Sequence, residues 1–543
     1  MRSVPVVIAG GGPVGMTLAR ILARLGIRCL LAERNPTTTR HPKMDITNSR
    51  SMEIFARFGL AEALRAVAVP AANNFDVSWI TTMAGHELHR FRYPSVEEWR
   101  ARQRERNDGT MPREAPMRVS QVEIEPVLQH ALLGEALVEA HWGLAFESFA
   151  ADAEGVTVTL RDSATGAVEL VRCAFLAGCD GGGSQVRKQL GIPLEGQARV
   201  MPRFMTHFRS DDRALLQRFG VAWHYQGPYG TLIAQNDVDV WTLQSRFPPG
   251  VEDPGEVDPQ ALLRAFAGRD FAYEILVANH WHPHLLVAES YGGGRVFLAG
   301  DAAHQYIPTG GYGMNTGIGD AMDLGWKLAA RLHGFGGPAL LPSYEAERLP
   351  IGRRNRDASG QHTTVRAEIG AVYAEYGAAL LAEGAAGEAA RAAAGARIAA
   401  LGNAENECWG IEHGYAYRDS PVIAAEPGAV LPDDPLRYEP VTTPGVRLPS
   451  LFLEDGRAVY DLLGPWFTLL AVGVAPSGAL LTAAAARRVP LAVLATTDPV
   501  ARRVYGDGLF LVRPDQHIAW RGRALEDGRE AAAVIGRALG WAN

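Results

Sequence analysis

The chain has 543 residues, 47% of them hydrophobic and 21% charged, with a formal net charge of −7. Such a length holds three to four domains, or one large domain with an appendage, and the composition excludes whole-chain disorder, collagen and coiled coil. The acidic balance offers no general basic field for nucleic acid or an anionic membrane.

Residues 4–9 (VPVVIA) form a β-branched run that ends in Gly10-Gly11-Gly12-Pro13-Val14-Gly15. Met16 to Leu25 then reads as a helix, with Leu18, Ile21, Leu22 and Leu25 at helical spacing, and Arg28 to Ala32 as a second strand ending in Glu33. This is a complete βαβ start. The opening run breaks into glycines too early for a signal peptide. Residues 47–67 predict further helix. Residues 90–118 are arginine-rich with three prolines and read as a solvated surface loop, or else as a mobile flap or an attraction site for an anionic cofactor. A helix is expected over 119–138 and strands over 155–179, ending in Cys179-Asp180-Gly181. Residues 200–290 hold strand-like runs between Gly and Pro turns. RVFLAGDAAH then returns to a buried-strand pattern, and helices follow over 316–333 and 343–358. Alanine-rich residues 365–401 predict helix by propensity alone. Residues 421–449 are proline-rich and read as an extended linker. Residues 450–543 carry a separate strand–helix–strand pattern, and the apolar stretch from Leu462 to Ala495 is interrupted by Pro476, Ser477, Gly478, Arg487 and Arg488, too often for one membrane-spanning helix. The four cysteines (Cys29, Cys173, Cys179, Cys408) form no C-x-x-C pair, which predicts reduced thiols, no metal site and a cytoplasmic setting.

Gly10-x-Gly12-x-x-Gly15 has the context that gives it meaning: a strand before, a helix after and an acid at the end of the next strand. Gly10 permits the tight turn, Gly12 lets a pyrophosphate approach the backbone, and Gly15 allows close packing of helix on strand. The helix N-terminus supplies free N–H groups and a positive dipole end. Glu33 is expected to accept from ribose hydroxyls, so the adenosine half lacks a 2′-phosphate. That leaves NAD or FAD. Nearly 300 residues later, Gly300-Asp301 and the loop Pro308-Thr309-Gly310-Gly311-Tyr312-Gly313-Met314-Asn315 precede another helix. A loop with so few side chains can lie flat against a planar ring, and the helix behind it would aim N–H groups at the ring's edge. An NAD dehydrogenase has no use for this distal element; a flavin does.

Three spaced motifs, the GGGPVG turn with Glu33, Cys179-Asp180-Gly181-x-x-Ser184-x-x-Arg187, and Gly300-Asp301 with Pro308–Asn315, resemble those of the class A single-component flavoprotein aromatic monooxygenases, the group of p-hydroxybenzoate hydroxylase and phenol hydroxylase. The resemblance covers residues 4 to about 360. It implies an α/β fold: a glutathione-reductase-type Rossmann FAD-binding domain in three parts (1–75, 119–190 and 291–365), a β-sheet substrate domain (76–118 and 191–290), a helical region (366–420), the linker, and a C-terminal thioredoxin-like domain (450–543) without redox cysteines. It implies non-covalent FAD, NADPH or NADH as a transient reductant, and O2. An aromatic substrate would be hydroxylated through a flavin C4a-hydroperoxide in a pocket that excludes water. Related enzymes are often homodimers.

The resemblance also assigns residues. Gly10, Gly12, Pro13, Val14, Gly15, Glu33, Arg34, Lys43, Arg118 and Gln121 fall among the cofactor contacts, with Lys43 where most members carry an arginine. Asp180 and Arg187 belong to a motif used for both FAD and NADPH; Asp180-Gly181 otherwise closes a turn. Asp301 would hold the ribityl chain, and Gly311, Gly313, Met314 and Asn315 would face the pyrimidine edge. Pro308 would wall the reacting face, and His304 nearby has a packing role. Asp45 aligns with an aspartate at the substrate of phenol hydroxylase, where a base raises ring nucleophilicity; its other reading is a cap of the helix starting near Thr47. His224 and Tyr225 lie on a strand facing the substrate, or are partly buried sheet residues. The strand on which hydroxybenzoate hydroxylase places a carboxylate-binding arginine reads LIAQNDVD here, which favours a phenol, resorcinol-like or polycyclic substrate over a simple benzoate. No tryptophan stands in the W-x-W-x-I-P signature of flavin halogenases. A Baeyer–Villiger-type oxygenase and a non-oxygenase FAD oxidoreductase of the same fold stay open at this point.

Overall fold

The structure, a computed structural model, describes residues 1–248 and 250–541. Its main sheet is parallel at the centre, with Val296–Leu298, Val168–Gly178, Arg2–Ala9, Cys29–Glu33 and Val138–Trp142 side by side, and Val156–Asp162 and Leu144–Ala151 added antiparallel beside Val168–Gly178. Val4 and the run Val6 to Ala9 are buried, as expected of a parallel strand covered on both faces. Helix Pro13–Arg24 crosses from the first strand to the second and packs on helix Tyr312–Leu332. Gly325 permits that approach, since a side chain there would press on Leu18 and Ile21. The amino-terminal turn and a helix three hundred residues later are thereby neighbours.

The second sheet has seven strands in the order Glu274–Trp281, Arg203–Arg209, Val240–Arg246, Gly230–Ala234, His224–Gly227, Val77–Ile80 and Glu87–Phe91. Its two faces part cleanly by the two-residue period of a strand. Tyr225, Leu232, Trp241, Leu243 and Phe208 point to one side and form a closed core with helix Pro259–Ala267. The residues between them point to the other side.

Three expectations need correction. The arginine-rich stretch is no solvated loop: it contains helix Val96–Arg106, started by a capping box of Ser95 and Glu98. The arginines lie outward because helical spacing puts Val96, Trp99 and Gln103 inward. Nor is it a flap over a cofactor. Asn107 donates to the Phe452 carbonyl and accepts from the Phe452 amide, both at 2.8 Å, tying the segment to the C-terminal region. The helix expected to end near residue 358 continues as Pro342–Tyr376, and Gly384–Leu401 follows it. The proline-rich segment has neither helix nor strand beyond isolated bridges, as its prolines dictate, but it is packed: Val422, Ile423, Val446 and Leu448 are buried.

The C-terminal region holds a four-stranded sheet, Leu491–Thr496, Phe467–Val472, Gly508–Val512 and Ile518–Gly522, with the first pair parallel and the rest antiparallel. Its docking is firm. Phe467 meets Trp326 edge-on at 5.7 Å. The Arg513 guanidinium donates to Glu347 at 2.7 Å and Asp323 at 2.9 Å, and Lys327 donates to the same two carboxylates at 2.6 and 2.7 Å. All four side chains are essentially inaccessible. A network of this kind adds little net stability, because desolvation offsets attraction, but it tolerates only one docking geometry: removing one partner costs about 3–5 kcal/mol. Among the described residues, no helix is long and apolar enough to cross a membrane.

Candidate active site

The first strand delivers the chain to Gly10, whose φ is +107°, and a Cβ there would overlap the Cys179 carbonyl. A Cβ on Gly15 would overlap the Gly10 carbonyl, whereas one on Gly12 would meet nothing within 4 Å. The turn is therefore tight behind and open in front. Gly12 caps helix Pro13–Arg24 with no side-chain bond and no acid in the first turn, so its N–H groups and dipole are uncommitted. Glu33 is fixed at the edge of this opening. Its Oε2 accepts from the Gly11 amide at 2.7 Å and its Oε1 from the Asn35 amide at 2.8 Å and side chain at 2.7 Å, which leaves an acceptor site on Oε2 for a ligand.

The second glycine loop repeats the device. Gly310 and Gly311 have φ of +85° and +67°, and Gly311 caps helix Tyr312–Leu332, again with no side-chain bond and no first-turn acid. Asn315 fastens this helix start to the segment bearing Asp45: its Oδ1 accepts from the Asn48 amide at 3.0 Å, and its Nδ2 donates to the carbonyls of Gly311 at 2.7 Å and Ile46 at 3.2 Å. The Gly300 turn is held by buried Asp320, which accepts from the Gly300 amide at 3.1 Å and bonds His304 Nε2 at 2.8 Å and Arg348 Nε at 2.8 Å. His304 stacks on Tyr306, with centroids 4.8 Å apart, and so packs rather than reacts.

Both helix starts open on one elongated cavity of about 790 Å³. Gly10, Gly12, Pro13, Val14, Glu33 and Arg34 line one end; Asp301, Pro308, Gly311, Gly313 and Met314 line the other; Lys43, Asp45, Gln121 and Asp180 lie along it. Asp301 is open to the cavity, and the protein packed around it raises its carboxyl above the usual range, partly countered by His304 and Lys43. A dinucleotide flavin fits this shape and donor set: one uncapped helix for the pyrophosphate, a second for the edge of the ring.

Other expected contacts serve the walls. Gly15 faces backbone, as its packing role requires. Arg187 does not line the cavity; its guanidinium donates to the carbonyls of Ala302 at 2.9 Å and Gly182 at 3.2 Å, stitching the Asp180 motif to the Gly300 turn. Asp180 borders the cavity, and its carboxylate accepts from the Gln185 amide at 2.7 Å and the Val186 amide at 3.2 Å, at the start of helix Gln185–Gln189 that Ser184 caps. Arg118 also lies behind the wall, donating to the carbonyls of Asn74 at 3.1 Å and Ala234 at 3.2 Å; burial lowers it to about 10, with Asp45 opposing that shift.

A second cavity, of about 880 Å³, adjoins the first. Lys43, Asp45, Ile46, Pro308 and Gly311 border both. Its floor is the open face of the seven-stranded sheet. His224 projects into it, and its Nε2 lies 3.2 Å from Asp45 Oδ2, which also accepts from the Trp223 indole. Burial disfavours charge on Asp45, but the bonds from His224 and Trp223 and the nearby Arg118 outweigh it and hold the carboxyl below the usual range. Asp45 is not the cap of the following helix; Asn48 is, accepting from the Ser51 amide at 2.9 Å. Tyr225 must be withdrawn from the site. One residue along the strand from His224, it points to the opposite face, and its hydroxyl donates to the Gly220 carbonyl inside the core.

The sequence reading passed over most of this floor: Arg203, Met205, Gln226, Thr231, Gln244 and Arg246, with Trp79, Tyr373 and the Arg366–Glu405 pair around it. Alternation along 203–209 and 240–246 was visible, but which phase faces the cavity was not.

Residues 3–359 match the FAD binding domain family, and residues 441–542 match the family described as aromatic-ring hydroxylase, C-terminal. The FAD-dependent monooxygenase apdD of Emericella nidulans is 38% identical over 99% of this chain and 90% of its own length. Among solved structures, the rebeccamycin biosynthetic enzyme RebC with reduced flavin superposes with a TM-score of 0.88 at 33% identity, covering 100% of this chain and 99% of that one. The flavin-dependent monooxygenase PieE in complex with FAD and substrate gives 0.87 at 30% identity over 99% of both chains. With two uncapped helix starts on one cavity and both family regions matched, the chain belongs to the FAD-dependent monooxygenases that carry an aromatic-ring hydroxylase C-terminal region.

Proposed function

We propose that this enzyme hydroxylates a phenolic, polycyclic-sized aromatic ring bound in the sheet-floored cavity, with the Asp45–His224 pair receiving the phenolic proton. The observation that carries this reading is the seam between the cavities, where Pro308, Gly311 and Asp45 border both, so a ring on the sheet lies against the ring end of the cofactor channel. FAD, when bound and reduced by NAD(P)H, supplies the activated oxygen. The chain supplies the rest. Pro308, with no N–H and a fixed φ, walls the reacting side without presenting a donor. A carboxylate held below its usual range is a weak base by itself; the His224 imidazole bonded to it supplies the nitrogen that takes the proton, with the carboxylate fixing its orientation. A volume near 880 Å³ is at the upper end for drug-sized ligands and far exceeds one ring. The nicotinamide donor has no second dinucleotide turn in the sequence, which supports transient docking.

The test is NAD(P)H oxidation by the yellow holoenzyme across phenols of one to four rings, with product analysis. Polycyclic phenols should stimulate oxidation and gain one oxygen on the ring. Oxidation that no aromatic stimulates, or an inserted ester in place of a ring hydroxyl, would overturn the reading. Asp45→Ala should keep its FAD and lose about 10²- to 10⁴-fold in coupled turnover; unchanged turnover would remove the pair from the mechanism.

A further inference from the structure

The floor of the substrate cavity is ordered in rows. Strand register sets His224, Ile233 and Thr242 side by side, then Gln226, Thr231, Gln244 and Met205, then Arg246 beside Arg203. Each row lies two residues further along the strands, so the arginine row is about 13 Å of strand from the His224 row. The two arginines stand directly opposite each other on adjacent strands, an arrangement that like charges disfavour. Among the described residues no carboxylate lies within 4 Å of either, and neither guanidinium makes a hydrogen bond. Arg366, on the wall of the same cavity, shows the usual arrangement: it is bidentate to Glu405 at 2.7 and 2.9 Å. Arg203 is half-buried and Arg246 exposed at the rim; burial together with Arg246 and Arg366 lowers Arg203 to about 10.

We infer that Arg203 and Arg246 form a carboxylate subsite, and that the substrate is an aromatic acid whose carboxylate lies at the far end of the molecule from the ring that is hydroxylated. This rests on the reading of the cavity as the aromatic site and deepens it. Guanidinium groups bind a carboxylate in planar, charge-assisted pairs, and such binding would relieve their mutual repulsion. The strand LIAQNDVD lacks an arginine, so the charge is not where a benzoate would need it. One whole row, Gln226 to Met205, lies between the arginines and the Asp45–His224 pair, a span that a single ring does not bridge and three fused rings do.

The test uses the FAD-loaded enzyme and reads the flavin absorbance change on titration, with no turnover. The probes are a hydroxyanthracenecarboxylate, with hydroxyl and carboxylate at opposite ends, and its carboxamide. The carboxylate should bind tenfold or more tightly than the carboxamide, charge-assisted bonds being the stronger kind. Arg203→Gln and Arg246→Gln should each erode that preference, and the double variant should abolish it while leaving the carboxamide affinity within twofold. Arg246→Lys should restore part of it, and FAD content and melting temperature confirm that each variant is folded. Equal affinity for acid and amide in the unaltered enzyme, or a preference that survives the double variant, would overturn the subsite alone. If no aromatic, acid or amide, perturbs the flavin, the aromatic-cavity reading falls and the subsite with it.

Discussion

The two adjoining cavities are built by opposite means. The cofactor channel is made of backbone: two glycine turns, two uncapped helix starts, and side chains such as Arg187, Asp320 and Asn315 that hold the turns in place. The second cavity, where we propose the substrate binds, is made of side chains on strands scattered from residue 77 to residue 281, tiled on one face of a sheet. Backbone geometry recognises what every family member binds. A tiled face can be rewritten one residue at a time without disturbing the fold, because the opposite face carries the core. The difference separates a backbone-built cavity, suited to a shared cofactor, from a side-chain-built one that can vary without disturbing the fold.

The comparison breaks first, and most severely, at Gly10. Gly10→Val places a side chain at positive φ, which alone costs about 1–3 kcal/mol, and drives it into the Cys179 carbonyl. The expected result is protein purified without flavin absorbance and without turnover; a yellow variant would show that the turn is not the cofactor seat described above. Next in size is the Asp45→Ala loss already given, which strikes the seam between the cavities. The carboxamide and carboxylate titrations follow, at about tenfold.

A smaller effect sharpens the role of the Asp45–His224 pair. Asp45 is held below its ordinary value in the folded state, so its ionised form adds stability above the unfolded carboxyl's titration range and loses it as pH falls through the folded value. The melting temperature of Asp45→Asn should therefore fall below that of the unaltered enzyme near neutral pH, and the gap should narrow below about pH 4. A gap independent of pH would mean that the bonds from His224 and Trp223 do not depend on the charge. Turnover should fall in acid as the Asp45 carboxylate is protonated, and Asp45→Asn should remove that limb.

The smallest effect is the control for the sheet's two faces. Tyr225→Phe removes a hydroxyl bonded within the core, so it should cost about 1 kcal/mol of stability and leave kcat and substrate affinity within twofold. A large kinetic defect would place Tyr225 on the wrong side of the sheet.

Legibility followed the same division. GGGPVG with Glu33, and Gly300-Asp301 with the loop beyond it, could be read because each device is contiguous: a strand end, a turn and a helix start, whose chemistry is set by local backbone conformation. The arginine-rich stretch was misread because Ser95 and Glu98 were not recognised as a capping box and its inward residues are few. Tyr225 was misread for a different reason, since a strand pattern that alternates does not say which phase looks inward. Lys327 and Arg513 each have one partner close in sequence, Asp323 and Asp515, but nothing local shows that they share Glu347 and Asp323 across the docking surface.

The sequence alone thus determined the parallel α/β core, the two glycine seats and the flavin they imply, since those depend on residues adjacent in the chain. Only the tertiary structure decided which sheet face lines the second cavity, that Asp45 pairs with His224, and that Arg203 stands beside Arg246 with no counter-charge. Those facts depend on register between strands whose order in space differs from their order in sequence, and a shift of one residue would have reversed every one of them.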